Sequence, residues 1–265
     1  MLFRGKYAGS SFSELLAVDY PQVRVDFAAL AHKAAGLGAI QAPHGTTVLA
    51  FKCADGVVVA GDRLATSGSM VASRDVQKVF AADEHSLIAI AGAAGPAIEM
   101  ARILGIELEH YEKIEGEALE LEGKANKLSQ MIRQNLPAAM QGLVVVPIFA
   151  GYDMRRKVGR LWKYDVTGGR YEEAELDASG SGGIIAKESL KKGWRPGLSR
   201  EESLRIAIEA LQDAADEDRA TGGVDVARGI YPMVKVCTAA GIEDVSEATI
   251  AEVYRSIAGG RSERS

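Results

Sequence analysis

The sequence runs to 265 residues, 47% apolar and 25% charged, with a formal net charge of -5; this is enough apolar material for one sizeable core and excludes a disordered tail. The acidic balance argues against a nucleic-acid partner, because a phosphate-contacting face needs an excess of Lys and Arg. No run approaches the roughly 18 consecutive apolar residues of a membrane-spanning helix, so a membrane is not an expected partner either.

Residues 1–45 form a leader of distinct texture. Glu14, Asp19, Arg24, Asp26 and Lys33 interrupt the apolar stretch that a secretory signal requires. Cys53 and Cys237 lie in strand-like apolar runs and read as buried free thiols, not as a disulfide. Both features fit a cytoplasmic protein.

From Thr46 the pattern changes. Thr47 to Cys53 reads as a strand, Ala54-Asp55-Gly56 supplies turn chemistry, and Val57 to Gly61 returns as a second strand of a hairpin. Ser86 to Gly92 reads as a central strand, and Ala97, Ala101, Leu104, Leu108 and Tyr111 then share one helical face. The acidic stretch from Glu107 to Glu122 reads as a solvated helical surface and loop. A second helix carries Ala125, Leu128, Met131 and Ile132, followed by a strand pair at Leu143 to Tyr152 and Val158 to Tyr164. Ser199 and Glu202 form a capping box ahead of Leu204, Ala207, Ile208, Leu211 and Ala215, announcing a third helix. Tyr231 to Cys237 reads as a strand, Glu247 to Ile257 as a last helix, and Gly259 to Ser265 as a polar tail. Blocks of strands alternating with helix pairs predict an α+β sandwich of antiparallel sheets covered by helices.

Several kinds of chemistry have no support. The histidines His32, His44, His85 and His110 form no close pair, and no Cys-x-x-Cys or His-Glu-x-x-His spacing exists, so no metal is expected. Gly123-Lys124 is followed by Ala125 and lacks the phosphate-loop pattern; Gly180-Ser181-Gly182-Gly183 matches no dinucleotide fingerprint and by itself reads as a turn. No cofactor is expected. What remains is Gly45-Thr46-Thr47-Val48-Leu49 at the change of texture. Alone, a threonine opening a strand is ordinary β-propensity.

Its company is more specific. Gly61-Asp62-Arg63 ends the second strand, Gln77-Lys78-Val79 follows, and Ala91-Gly92-Ala93 closes the next apolar run. In residue type and spacing this constellation resembles the proteasome β-subunit family, from Gly45 to about the last helix. The resemblance implies a four-layer αββα sandwich, a propeptide over 1–45 and a peptidase domain over 46–265. It places the nucleophile at Thr46, with Asp62 and Lys78 beside it, an oxyanion-hole N–H at Gly92, and Ser181, Asp218 and Thr221 in support. Cleavage between Gly45 and Thr46 would release the leader. Thr221 stands where many members carry Ser, which keeps the hydroxyl; Leu64 replaces a basic residue often found after the strand-end Asp, with Arg63 one place earlier. The matching substrate positions are Ala65, Thr66, Val76, Ile90, Ala94 and Ile98, mostly apolar, implying a preference for large hydrophobic side chains before the cut.

The chemistry suits these residue types. A threonine at a chain end carries its own base, an α-amine whose unperturbed pKa is about 7.7 to 8.0. A lysine held cationic by Asp62 lowers the proton affinity of both hydroxyl and amine. While the leader is attached that nitrogen is an amide, so the precursor is expected to be inactive. The resemblance further implies seven-membered β-rings stacked with rings of α-subunits, fed by a regulatory ATPase ring. The long leader and the Thr-Thr-Val-Leu-Ala opening look most like the actinobacterial branch, whose substrates carry a small ubiquitin-like protein tag. The alternatives are the two-ring bacterial relative, which typically has a very short leader, a non-catalytic ring subunit, or a small-molecule amidase of the wider N-terminal nucleophile group.

Overall fold

Residues 7, 9–21, 45–67 and 70–262 are described by a computed structural model of the chain. Most of the leader, 22–44, and the end of the tail, 263–265, lie outside the described residues. The helices are α1 (Phe12–Asp19), α2 (Ala94–Glu115), α3 (Leu121–Gln134), α4 (Leu136–Ala139), α5 (Gly183–Gly193), α6 (Arg200–Glu217) and α7 (Glu247–Ser262). The strands are β1 (Thr47–Cys53), β2 (Gly56–Gly61), β3 (Ala65–Ser67), β4 (Met70–Ser73), β5 (Val79–Asp83), β6 (Ser86–Ala89), β7 (Ile148–Asp153), β8 (Val158–Tyr164), β9 (Arg170–Glu173), β10 (Leu176–Gly180), β11 (Met233–Thr238) and β12 (Gly241–Asp244).

Two five-stranded antiparallel sheets form the centre, one ordered β10-β1-β2-β11-β12 and the other β5-β6-β7-β8-β9; β3 and β4 make a separate hairpin. Strand β1 shows how the layers arise. Its alternate side chains serve two interiors, as the period of two in a strand requires. Leu49 and Phe51 join α5, α6 and α7 through Ala186, Leu190, Leu204, Ala207, Leu211 and Ile250. Val48 and Ala50 face the other sheet and pack with Leu87, Ala89, Ile148 and Leu161. Being buried on both faces explains why Val48 to Phe51 of β1 and the whole of β2 are apolar without interruption. On the far side, Ile88, Phe149 and Trp162 of the second sheet pack on Ala97, Ala101 and Leu104 of α2 and on Ala125, Leu128 and Ile132 of α3. The architecture is therefore the expected αββα sandwich, and no helix among the described residues is long and apolar enough to cross a membrane.

The capping box of α6 is formed: the Glu202 N–H donates to Ser199 Oγ and the Ser199 N–H to Glu202 Oε2. Several features differ from the sequence-based expectation. Helix α5 begins at Gly183, directly behind glycines that read as a turn; only Gly183, Ala186 and Leu190 of it are buried, so its helicity is dictated by packing against β10 and α6 and not by an obvious amphipathic pattern. Helix α7 runs on to Ser262, through the start of what reads as a polar tail. Within the acidic stretch Glu107 is buried, 3% exposed, because Lys127 pairs with it at 3.0 Å.

Both cysteines are free, Cys237 fully buried and Cys53 half-buried. Burial pushes the Cys237 thiol up to about 11, and raises that of Cys53 as well. Since the thiolate is the reactive form, thiol reagents at pH 8 should label the native chain slowly at both positions and take up two equivalents only after denaturation. Rapid native labelling of Cys237 would contradict this packing.

Candidate active site

The β1–β2 hairpin assembles the centre. Its register sets Val48 opposite Gly61, and the Asp62 N–H donates to the Thr47 carbonyl at 3.0 Å, so the residue leaving β2 lies beside the residues entering β1. The Asp62 carboxylate is completely buried and completely bonded. Its Oδ1 accepts from the Thr47 N–H at 2.7 Å and from Lys78 Nζ at 2.6 Å, while Oδ2 accepts from the N–H groups of Leu64 at 2.9 Å and Gly222 at 2.8 Å. Four donors fill its lone-pair sites, which is the condition for keeping a carboxylate out of water.

Lys78 enters from just ahead of β5 and is only 2% exposed. Besides Asp62, its ammonium donates to the Leu64 carbonyl at 2.5 Å and to the Gly45 carbonyl at 3.3 Å. Burial pulls its pKa down, and the Asp62 charge and hydrogen bond oppose that pull. Leu64, where a basic side chain was missed in the sequence, thus contributes through its backbone on both sides of the pair. Arg63 points elsewhere, to the Tyr231 carbonyl, Asp75 and Glu247.

Thr46 is held from the other edge of the sheet. β10 pairs with β1 so that Thr47 meets Gly180, and the Ser181 N–H donates to the Thr46 carbonyl at 2.9 Å. The Thr46 hydroxyl donates to the Gly45 carbonyl oxygen at 2.7 Å. Hydroxyl and ammonium thereby converge on one carbonyl oxygen. A Cβ at position 45 would stand 2.5 Å from Thr66 Oγ1 and 2.6 Å from the Ala220 carbonyl, so only glycine fits there.

Behind Thr46 runs a chain of hydroxyls. Ser181 Oγ donates to Asp218 Oδ2 at 2.5 Å, and Thr221 Oγ1 donates to the same oxygen at 2.6 Å. Burial alone would raise the Asp218 pKa, but these hydroxyls, the Ala220 N–H and the Lys78 charge hold it below the ordinary value, so the group is an acceptor at neutral pH. Because Thr221 gives its single proton to Asp218, its 2.6 Å contact with Thr47 Oγ1 must be donated by Thr47, which in turn accepts from the Gly182 N–H at 3.0 Å. Thr47 is the participant that sequence reasoning overlooked. A threonine in the first position of a strand carries no local sign of a partner 174 residues away.

Gly92 adopts φ +110°, and an added Cβ would lie 2.1 Å from the Val144 carbonyl. It faces Val145 as a bridge flanked by bonds from the Ala93 N–H to Val144 and from the Val146 N–H to Ala91. In such a pair the residue's own N–H points away from the partner strand. Gly92 lines a small cleft together with Gly45, Thr46, Ala65, Val76, Lys78, Ile90 and Ala94. Four of the six substrate positions picked out by resemblance are thus gathered beside Thr46, and Ala91 and Ala97 join them. Thr66 stands against Gly45, while Ile98 is not a lining residue and packs on the core between α2, α3 and the second sheet.

Comparison with known proteins places the chain in a family. A family profile described as proteasome subunit matches residues 42–228. The chain is 55% identical to a proteasome subunit beta of Acidimicrobium ferrooxidans, over 86% of this chain and 87% of that protein. It is 55% identical to one of Streptomyces griseus, covering 86% and 81%, and 52% identical to one of Rhodococcus erythropolis, covering 96% and 89%.

The hydroxyl chain predicts the effect of Thr47→Val. This change keeps the shape but leaves the Gly182 N–H without its acceptor and Thr221 without a donor, in a fully buried place. Loss of buried hydrogen bonds of this kind costs about 1 to 3 kcal/mol, so urea or thermal unfolding should show that loss; unchanged stability would contradict the relay.

Proposed function

The chain belongs to the proteasome subunit family as a β-type member, and we propose that it is the catalytic subunit of a 20S-type proteasome, a threonine-type endopeptidase that exposes its own nucleophile. One observation carries the reading: Thr46 Oγ1 and Lys78 Nζ approach the same Gly45 carbonyl oxygen, at 2.7 and 3.3 Å.

In the proposed maturation, Thr46 Oγ adds to the Gly45 carbonyl carbon, and the negative charge that develops on the oxygen forms against the Lys78 ammonium. The Gly45–Thr46 carbon–nitrogen bond then breaks, the nitrogen receives the proton lost by the hydroxyl, and an ester joins Gly45 to Thr46 Oγ. Water hydrolyses that ester, so the leader leaves as a carboxylic acid and residue 46 recovers its hydroxyl beside the α-amine freed when the carbon–nitrogen bond broke. In turnover the amine accepts the hydroxyl proton as Oγ attacks a peptide carbonyl and passes it to the peptide nitrogen as that carbon–nitrogen bond breaks; the C-terminal product leaves as an amine, and water hydrolyses the acyl-enzyme to release the other product as an acid. The Gly92 N–H serves the oxyanion, a donor worth on the order of 3 kcal/mol in comparable sites. Asp62 keeps Lys78 charged, and Ser181, Asp218 and Thr221 orient the amine through the Thr46 carbonyl and the hydroxyl chain.

The cleft walls, Ala65, Val76, Ile90 and Ala94 with Ala91 and Ala97, offer no partner for a charge and favour a large apolar residue before the cut, whose burial supplies about 1.5 to 3 kcal/mol. The likeness to subunits from actinobacteria supports heptameric β-rings stacked with α-rings, an ATPase ring at the entrance, and substrates marked by a small ubiquitin-like protein.

Intact-mass measurement tests the maturation. The unaltered chain should lose residues 1–45 while Thr46→Ala keeps them and shows no peptidase activity; a Thr46→Ala chain shortened at the same bond would sink self-cleavage. Lys78→Ala should slow both processing and turnover by on the order of a hundredfold or more. In the assembled particle, fluorogenic peptides ending in Leu or Tyr should be cut faster than those ending in Arg or Glu, and the reverse order would refute the assigned cleft.

A further inference from the structure

Far along the chain from the scissile bond, the leader makes a second attachment. Helix α1 sets its N-terminus on Glu107 of α2, whose Oε2 accepts from the Phe12 N–H at 2.9 Å and whose Oε1 accepts from the Ser13 N–H at 2.6 Å. Lys127 of α3 bridges the two sides, pairing with Glu107 at 3.0 Å and donating to Ser11 Oγ at 3.2 Å. The Phe12 ring lies 5.7 Å from that of His110. Tyr7 folds back on the same segment, its N–H donating to Asp19 and its hydroxyl to Glu14.

These contacts explain why α1 is a helix. It has eight residues, none buried, and a helix that short is not stable by itself in water. A carboxylate facing the unsatisfied N–H groups of its first turn supplies what the helix lacks. Glu107 itself is the one deeply buried acid of a stretch whose other carboxylates are largely exposed, so its side chain has a specific occupant to serve. The chain from residue 21 to residue 45 can span up to about 80 Å, so this docking leaves the Gly45–Thr46 bond free to sit in the active site.

We propose that the face formed by α2 and α3 is a docking site for the leader's own helix, with Glu107 as its anchor, and that the leader remains there as a separate peptide once the chain behind it is cut. The occurrence of that cut in maturation rests on the function proposed above; the docking does not. While the chain is continuous the helix faces its site at an effective concentration of about millimolar. After scission the contact becomes a two-molecule equilibrium. The leader then stays on in concentrated solution and leaves on dilution.

The test uses the full chain carrying Thr46→Ala, with a recognition sequence for an added protease inserted between Leu30 and Ala31, so that its outcome is independent of self-cleavage. After digestion, a dilution series followed by size-exclusion chromatography and native mass spectrometry reads retention of the N-terminal fragment. The fragment should co-elute and dissociate with a defined midpoint, which Glu107→Gln moves to at least about tenfold higher concentration, while Glu109→Gln on the exposed side of α2 leaves it in place. Two leader substitutions guard against a misfolded sandwich. Phe12→Ala removes the ring alone, whereas Phe12→Pro also removes an N–H to Glu107 at a position where proline suits a helix, and should weaken retention several-fold further. A fragment that separates from the parent chain at every concentration, or equal midpoints for the parent and Glu107→Gln, would overturn the proposal.

Discussion

The buried pair of Asp62 and Lys78 is the constraint around which the rest is arranged. Two charges removed from water are costly unless every donor and acceptor is met. Here the carboxylate receives four hydrogen bonds and the ammonium gives three. Those bonds reach the start of β1, the turn after β2, the approach to β5 and the loop after α6. One ion pair thus fixes four separate stretches of chain relative to one another. The local backbone follows from it, because Thr47, Leu64 and Gly222 must present their N–H groups to the same carboxylate.

Glycine supplies the remaining tolerance. At 45 the chain passes so close to Thr66 and Ala220 that no side chain fits, and at 92 the backbone takes a left-handed φ that carries the peptide past Val144. These positions have no side-chain chemistry, yet they govern where the carbonyl of one and the N–H of the other lie. In the sandwich around them the start of β1, next to Thr46, is paired on one side with β2 and on the other with β10, both in continuous register.

Much of this was legible in the sequence. The middle of β1, Val48 to Phe51, and the whole of β2 are apolar without interruption because both their faces are covered, and the Ser199–Glu202 box marked the start of α6 by a purely local rule. The short strands β3, β4, β9 and β12 gave no such sign, being too brief and too polar for a period to emerge. α5 hid behind glycines that the chain uses to pass under Thr47. At the site, Thr46, Asp62 and Lys78 stood out only as a constellation, whereas Thr47 owes its place to a hydroxyl on a distant loop. The burial of Glu107 was illegible for a similar reason: nothing in an acidic run tells which carboxylate will meet a lysine twenty residues on and the end of a helix from the leader.

The three-way grip of the Lys78 ammonium has a sequel. Two of its acceptors, Asp62 and the Leu64 carbonyl, belong to the sandwich; the third is the carbonyl of Gly45, the residue ahead of Thr46. Were the chain cut ahead of Thr46 as proposed, a charged N–H would be left facing an empty seat in a buried recess. Any oxygen that can sit there, from a solvent molecule, an incoming peptide or a newly made carboxylate, relieves a deficit the fold itself has created. A centre matured in the proposed way is in this sense shaped by the absence of its first occupant, and each later visitor is measured against the carbonyl that left.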